Sequence, residues 1–399
     1  MKNVVNRALG AKNKKFILFT ACALSLMACE NRGGEVTSEK EAALQQVAAP
    51  YVNHTVVATY KSMTDAGIVL QDKAQAILEA VETDADYTTL MVEADAAWRL
   101  MRKYWEQSEA FLYGPASSHN IDPHIDSWPL DFNAMNALLH DSLRMAQIEE
   151  EGGAYVGDKL GYALKGFHAA EYLLFESVIQ DGRAVGTGRA HATNLTHAEA
   201  VYLLGIVEDL AQQAILLEYA WAGEVSETKM AILEEADIDP YEDHYGWQML
   251  NAGKAGSIYV TYQEVAEEII AGAVDIAGEV ADLKMGNPYI SSTPEERDYI
   301  ESPYSCTSTT DFADNIRSIQ HAYCGAQAGE YAISNYVYRQ DAELDAKVRK
   351  AIDESIAAIE AIVDFENTAK GNPQVQAAIE KVQALEEVLD KEVLPLLSK

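Results

Sequence analysis

Cysteine is scarce, with four in 399 residues. Cys22 and Cys29 fall in the first thirty residues, so only Cys306 and Cys324 are left for a disulfide. Residues 311–338 have the period of one helix. Cys324 would then lie about 20 Å along it at 1.5 Å per residue, whereas a disulfide needs Cα atoms within about 7 Å. The spacing argues against that pair. Basic residues are also few, 30 Lys and Arg against 63 Asp and Glu, for a net charge of -33. A surface so acidic makes a poor nucleic-acid partner. It repels an anionic lipid surface and draws cations without selecting among them.

Alternating strand patterns are nearly absent, and residues 51–59 are the nearest candidate. Chemical signatures are missing too. There is no H-E-x-x-H, no G-x-S-x-G and no phosphate-binding G-x-x-x-x-G-K. His321 and Cys324 are helical neighbours with no evident third partner for thiol chemistry. Glu242-Asp243-His244 reads as a solvated turn. No segment after the first thirty residues reads as apolar enough to span a membrane.

That N-terminal segment has a pattern of its own. Lys2, Arg7, Lys12, Lys14 and Lys15 precede an apolar run from Phe16 to Ala28. Thirteen residues are too few to cross a bilayer and suit a signal peptide. Leu26-Met27-Ala28-Cys29 reads as a lipoprotein cleavage site. The expected mature chain starts at a lipidated Cys29 and is tethered to a membrane through residues 29–40. Losing residues 1–28 removes five basic residues and no acid, leaving 25 basic against 63 acidic.

Most of the rest has helical period. Helices are expected over 41–61, 64–80, a long stretch from Tyr87 to Phe111 ended by Gly114-Pro115, 132–145, 155–178, 196–221, 257–285, 311–338, 342–365 and 373–394. Thr196 with Glu199 forms a capping box. Irregular stretches are expected at 116–130 and 286–310. The weak pattern between Gly223 and Gly256 marks a boundary, giving bundles over 41–225 and 226–399. The expected fold is all-α: two antiparallel helical-bundle halves with a cleft between them.

The most informative residues are Gly166-Phe-His168-Ala-Ala-Glu171-Tyr172. His and Glu three apart on a helix share a face and can converge on one cation. Glu171 falls in the apolar stripe Leu160, Leu164, Phe167, Leu174, where a buried carboxylate needs a partner or a metal. Two ligands hold zinc or iron poorly, so a third must converge. Glu109 is the first choice, ahead of Asp126, Asp131, His119 and His124. The competing reading pairs His168 and Glu171 with each other or with Arg102 in a dry core. Gly325-Ala-Gln327-Ala-Gly-Glu330-Tyr331 aligns with the motif and points to an internal duplication.

These residues resemble the imelysin-like family, whose hallmark is G-x-H-x-x-E before an apolar run. The segment Arg102-Lys-Tyr104 to Glu109-Ala-Phe111 and Gly114-Pro115 is similar to a second family motif. Asp126-Ser-Trp128-Pro129-Leu-Asp131 is similar to a third. Glu301-Ser-Pro-Tyr304-Ser305, with Asp311-Phe312 and Asn315, resembles a block of the second half. Cys306 departs from the histidine found there in many members. The resemblance spans roughly residues 45–390. It implies a helical two-part fold and a cell-envelope lipoprotein, on the periplasmic or outer face of an outer membrane. It implies binding of iron or an iron-containing ligand, with a transport partner, in iron uptake or regulation.

It also implies a metallopeptidase alternative in which His168 and Glu171 hold a zinc-like metal; Glu109, chosen from the residues as a third ligand for iron or zinc, could then be recruited as the base. The residues themselves lean towards a binder, since no dedicated base is visible. A ligand cleft is expected around Arg102, Asp126, Trp128, Asp131, Tyr304 and Ser305.

Overall fold

Two sets of antiparallel helices account for most of the chain. The computed structural model describes residues 38–180, 183–191, 194–293 and 299–399. The expected signal, Cys29 and most of the tether lie outside them. The first set contains α2 (Val57–Glu82), α3 (Thr88–Glu106), α4 (Ser142–Lys159) and α6 (His197–Ala222). Helix α6 is its axis, with α2, α4 and the short α5 (Gly166–Leu174) against it. Lys73 of α2 meets Glu93 of α3 at 2.7 Å, and Thr64 donates to the Ala214 carbonyl of α6. Both pairings run antiparallel.

Composition alone would let α6 cross a membrane, contrary to the expectation that no such segment exists. Yet 89% of its most apolar window is buried in the fold. It is a core helix, started by the expected Thr196–Glu199 capping box and stopped by Gly223 in the left-handed conformation.

The second set holds α8 (Tyr262–Glu279), α9 (Ser308–Cys324), α11 (Ala342–Glu360) and α12 (Pro373–Val388), with α10 (Ile333–Gln340) leading into α11. Helix α1 (Glu39–Pro50) packs chiefly on α8, so the start of the described chain joins this second set. One apolar core runs through both sets, and Ser38–Lys399 forms one compact unit.

Several expected helices are divided. A π-helical turn, Tyr51–Val56, separates α1 from α2, so the nearest strand candidate is helical. The stretch 155–178 is not one helix. Helix α4 ends at Lys159, a 3-10 turn spans Tyr162–Leu164, and α5 begins at Gly166. The stripe from Leu160 to Leu174 therefore crosses a loop that keeps helical phase by coincidence. Helix α5 runs into an unforeseen hairpin, β1 (Phe175–Gln180) against β2 (Arg183–Ala190), with Ser177 opposite Gly186. The stretch 311–338 breaks after Cys324, and the Gly325–Tyr331 copy of the motif is loop. Glu330 lies in that loop and pairs with His54 rather than lining a helical stripe. Cys306 and Cys324 are both free thiols.

Candidate functional site

Gly166 opens α5 with a φ of +79°, and a Cβ there would lie 2.2 Å from the Ile125 carbonyl oxygen. Only glycine lets α5 press its first turn onto the turn Ile121–Ile125. That contact delivers His168 to Asp126. Nδ1 of His168 is 3.2 Å from Glu171 Oε2, and Nε2 is 3.1 Å from Asp126 Oδ1. The second approach is off the line a hydrogen bond needs, so Nε2 is buried without a hydrogen-bond partner. Burial works against the imidazolium, but Asp126 and Glu171 outweigh it and move His168 up to about 9.

Glu171 is fully buried, as its place among apolar residues requires. Its Oε1 accepts three hydrogen bonds, from Tyr304 N (2.9 Å), Ser305 N (2.7 Å) and Ser305 Oγ (2.7 Å). The carboxylate thus anchors a loop 133 residues further along the chain. That loop is fixed on other sides. Ser302 donates to Asp311 at 2.6 Å, Gly188 N of β2 donates to the Tyr304 carbonyl, and Arg99 reaches the carbonyls of Gly188 and Ser305. Gly186 lets the hairpin close on the loop, since a Cβ there would sit 2.3 Å from Tyr304 Cα.

Arg102 is the hub. It is 1% exposed and contacts four carboxylates: Asp126, Glu301 at 2.5 Å, Glu106 at 2.6 Å and Asp311 at 3.5 Å. Its guanidinium lies over the Phe167 ring. A second buried cation, Lys284, follows at 3.3 Å from Glu301, 3.5 Å from Glu109 and 3.8 Å from Glu106. Trp105 Nε1 donates to Asp126, and Asn315 donates to Glu106. Six buried carboxyls, Glu106, Glu109, Asp126, Glu171, Glu301 and Asp311, thus face two permanent cations and one histidine. Burial raises Glu106 and Glu109 well above the carboxylate range and Asp311 to about 7. Burial acts on Asp126 too, but Arg102 and His168 hold it low.

A cleft of about 670 Å³ opens beside this cluster, between the two helix sets. Glu109, Asp122 and Asp126 line it from the first set and Glu268, Asp275 and Glu279 from α8, and Lys284, Trp128 and Tyr299 complete the lining. Burial and the neighbouring Asp126 push Asp122 up to about 7, and burial raises Glu279. Lys284 lies over the Trp128 ring at 5.5 Å.

The residues expected from sequence divide by position. His168, Glu171, Asp126 and Arg102 converge, and Tyr304 and Ser305 bind Glu171. Glu109 and Trp128 line the cleft, but Glu109 does not join His168 and Glu171 in one ligand set. Asp131 is apart, as the N-cap accepting from Ala134 N at 2.9 Å. His119 stacks on Tyr241 and pairs with Asp243, and His124 pairs with Asp209. Among the described residues, two buried trios place ligand atoms within 4.8 Å of one another: Asp126–His168–Glu301 and Glu106–Glu109–Asp126. One imidazole among carboxylates suits a divalent iron or zinc ion. His168 Nε2, Glu106 Oε1 and Glu301 Oε2 make no hydrogen bond and could serve as ligand atoms, although Glu106 Oε1 lies 2.6 Å from Arg102 and His168 Nε2 3.1 Å from Asp126. Arg102 and Lys284 compete for the same carboxylates.

Sequence reasoning did not single out Glu106, Lys284, Asp122 or Glu279. Glu106 carried a signal, four residues after Arg102 and on the same helix face. Glu301, Asp311 and Asn315 stood in a motif but received no role.

The geometry has relatives. The sequence profile for imelysin, peptidase M75, matches residues 56–391. Iron-regulated protein A of Synechococcus elongatus is 26% identical over 355 residues, covering 87% of this chain and 85% of that protein. A Parabacteroides distasonis structure, assigned as an iron-regulated protein A precursor, superposes with a TM-score of 0.71 at 24% identity. It covers 90% of this chain and 96% of its own. An imelysin-like protein from Psychrobacter arcticum gives 0.61 at 11% identity, with the same coverage. With a match over most of its length, the chain belongs to the imelysin family.

Proposed function

We propose that this protein is an exported, envelope-tethered binder that captures iron, or a small iron complex, in the cleft between its helix sets. The observation that carries this reading is the lining: six carboxyls and one ammonium around about 670 Å³. Crowding acids into a half-buried space is unfavourable without a counter-charge, and an incoming cation supplies it. Hard oxygen donors with one imidazole behind them match iron. Asp126 belongs to both buried trios, so it is the natural end point for the metal. The names of the relatives tie them to regulation by iron, and the precursor among them supports export.

The test is anaerobic Fe²⁺ and aerobic Zn²⁺ titration of the parent and of an Asp122→Asn/Glu279→Gln double variant. The variant should bind at least about tenfold more weakly, equivalent to about 1.4 kcal/mol. Equal affinity, or no metal bound by the parent, would overturn the reading.

One observation favours a metallopeptidase instead: His168 Nε2 is buried, unpartnered and close to Asp126 and Glu301. Those three would hold a metal, with Glu109 on the cleft wall as the nearest base. Against it, Glu171 Oε1 already accepts three hydrogen bonds and is poorly placed to act as a ligand. Cleavage of an unfolded protein by the parent, and none by folded His168→Ala, would establish the peptidase.

A further inference from the structure

Trp247, Ile258 and Val260 are 46%, 61% and 71% exposed. They lie on α7 (Tyr245–Leu250) and on the loop leading to α8. The loop folds back onto the helix. Ser257 Oγ donates to the Gln248 carbonyl at 2.7 Å, Ile258 N donates to Gln248 Oε1 at 3.3 Å, and Gly256 lies against the Trp247 ring. Trp247 and the loop at Gly256–Ile258 therefore lie together, and Val260 follows two residues on, giving an exposed apolar patch along this loop. Its charge is as unusual as its polarity. From Tyr245 to Gln263 the chain carries one charged side chain, Lys254. At the chain's average of 63 acids in 399 residues, a stretch of that length would hold about three. Acids border it in space: Glu264 accepts from Val260 N at 2.6 Å, Glu41 accepts from Tyr262 N and Gln263 N, and Glu224 lines the same hollow as Trp247.

Glu41 also fixes where the chain enters. It stands in the first turn of α1, whose N-cap is Ser38, so the described chain begins beside the patch. Nine residue steps separate Ser38 from Cys29, a reach of at most about 30 Å. A lipid on Cys29 would keep this end of the protein within that distance of a bilayer.

We propose that the Trp247–Ile258–Val260 patch rests on the lipid bilayer that carries the Cys29 anchor, a placement that relies on the anchor itself. Tryptophan suits the headgroup level, with a ring that packs on acyl chains and an N–H that stays hydrated. Ile258 and Val260 enter the acyl boundary, and Lys254 faces anionic headgroups. The patch is too small to hold a protein this acidic on a membrane alone. A short tether raises its effective concentration enough for weak contact to persist. The cleft wall on α8, Glu268 to Glu279, then begins about 9 Å along that helix from Tyr262, at 1.5 Å per residue.

The test uses the full lipidated chain in phosphatidylethanolamine–phosphatidylglycerol vesicles, with brominated acyl chains as quencher. Flotation checks the anchor separately, because Cys29→Ser should leave the vesicles whatever the patch does. The parent should float, and its tryptophan emission should fall in brominated lipid. Trp98, Trp105 and Trp221 are buried, and Trp128 lies in the cleft, so Trp247→Phe should abolish the quenching. Ile258→Asp/Val260→Asp should also lose it, while still floating and melting at the parent temperature. A floating parent with unquenched emission, or quenching that survives Trp247→Phe, overturns the proposal. So does an unlipidated chain that dimerises through the patch, shown by sedimentation and reversed by Ile258→Asp, with no quenching in the parent.

Discussion

Glu171→Leu separates two meanings of a buried acid in an apolar stripe. If Glu171 served only a ligand, leucine would keep or raise stability. The structure gives it a load instead: two backbone amides and a hydroxyl on Oε1, and His168 on Oε2. Hydrogen bonds to a charged group contribute about 1.5–3 kcal/mol each, and buried donors left unpaired cost about 1–3. Burying leucine returns about 2 kcal/mol, and the carboxylate's own desolvation is relieved. The net loss should be about 3–5 kcal/mol, the range for breaking a buried ionic cluster by removing one member. For roughly 360 ordered residues that lowers Tm by about 4–7 °C.

Glu171→Gln keeps an acceptor oxygen and should lose only about 1–2 kcal/mol. Urea or thermal denaturation measures the loss. Amide exchange locates it, because Tyr304 and Ser305 should lose protection in the leucine variant. A leucine variant that melts at or above the parent, with both amides still protected, would refute the anchor argument.

Gly166→Ala should destabilise by about 3 kcal/mol or more, because the new Cβ meets the Ile125 carbonyl at 2.2 Å; a thermal melt matching the parent would refute the docking of α5. His321 is held below its ordinary value by burial, with Lys103 and Arg317 adding to the effect and Asp314 opposing it. Its folded-state value is depressed, so its contribution is present above the unfolded value of about 6.5 and lost as pH falls through the folded one. His321→Gln should therefore lose less stability than the parent between about pH 6.5 and 5, read from urea midpoints.

What could be read from the chain follows the range of the forces involved. Amphipathic spacing and the Thr196–Glu199 box are local, and both gave α6 almost to the residue. The breaks at Leu160–Lys165 and after Cys324 were hidden, because apolar residues on either side happen to stay in helical phase. The hairpin after α5 was hidden for another reason. Its Gly-rich second strand pairs with β1 and packs on the loop around Tyr304 and Ser305, which lies more than a hundred residues later.

The same limit governs the site. Glu171 was legible as a buried charge because burial leaves a mark in the local pattern. Two of its partners, the amides of Tyr304 and Ser305, left none, since any sequence could supply them. Arg102 and Asp126 stood in recognisable segments, yet nothing local showed that one guanidinium would gather carboxyls from positions 106, 126, 301 and 311. That gathering gives the cluster its character. Arg102 ties α3 to the loops of both helix sets, and Lys284 repeats the role nearer the cleft. Asp126 and Glu109 of the cleft lining are paired with Arg102 and Lys284 in the inner cluster, whereas Asp122, Glu268, Asp275 and Glu279 belong to the cleft alone. On the proposed reading, a cation entering from solvent would meet the cleft carboxyls first and reach His168 only by competing with Arg102, which makes the cleft wall the more informative place to substitute.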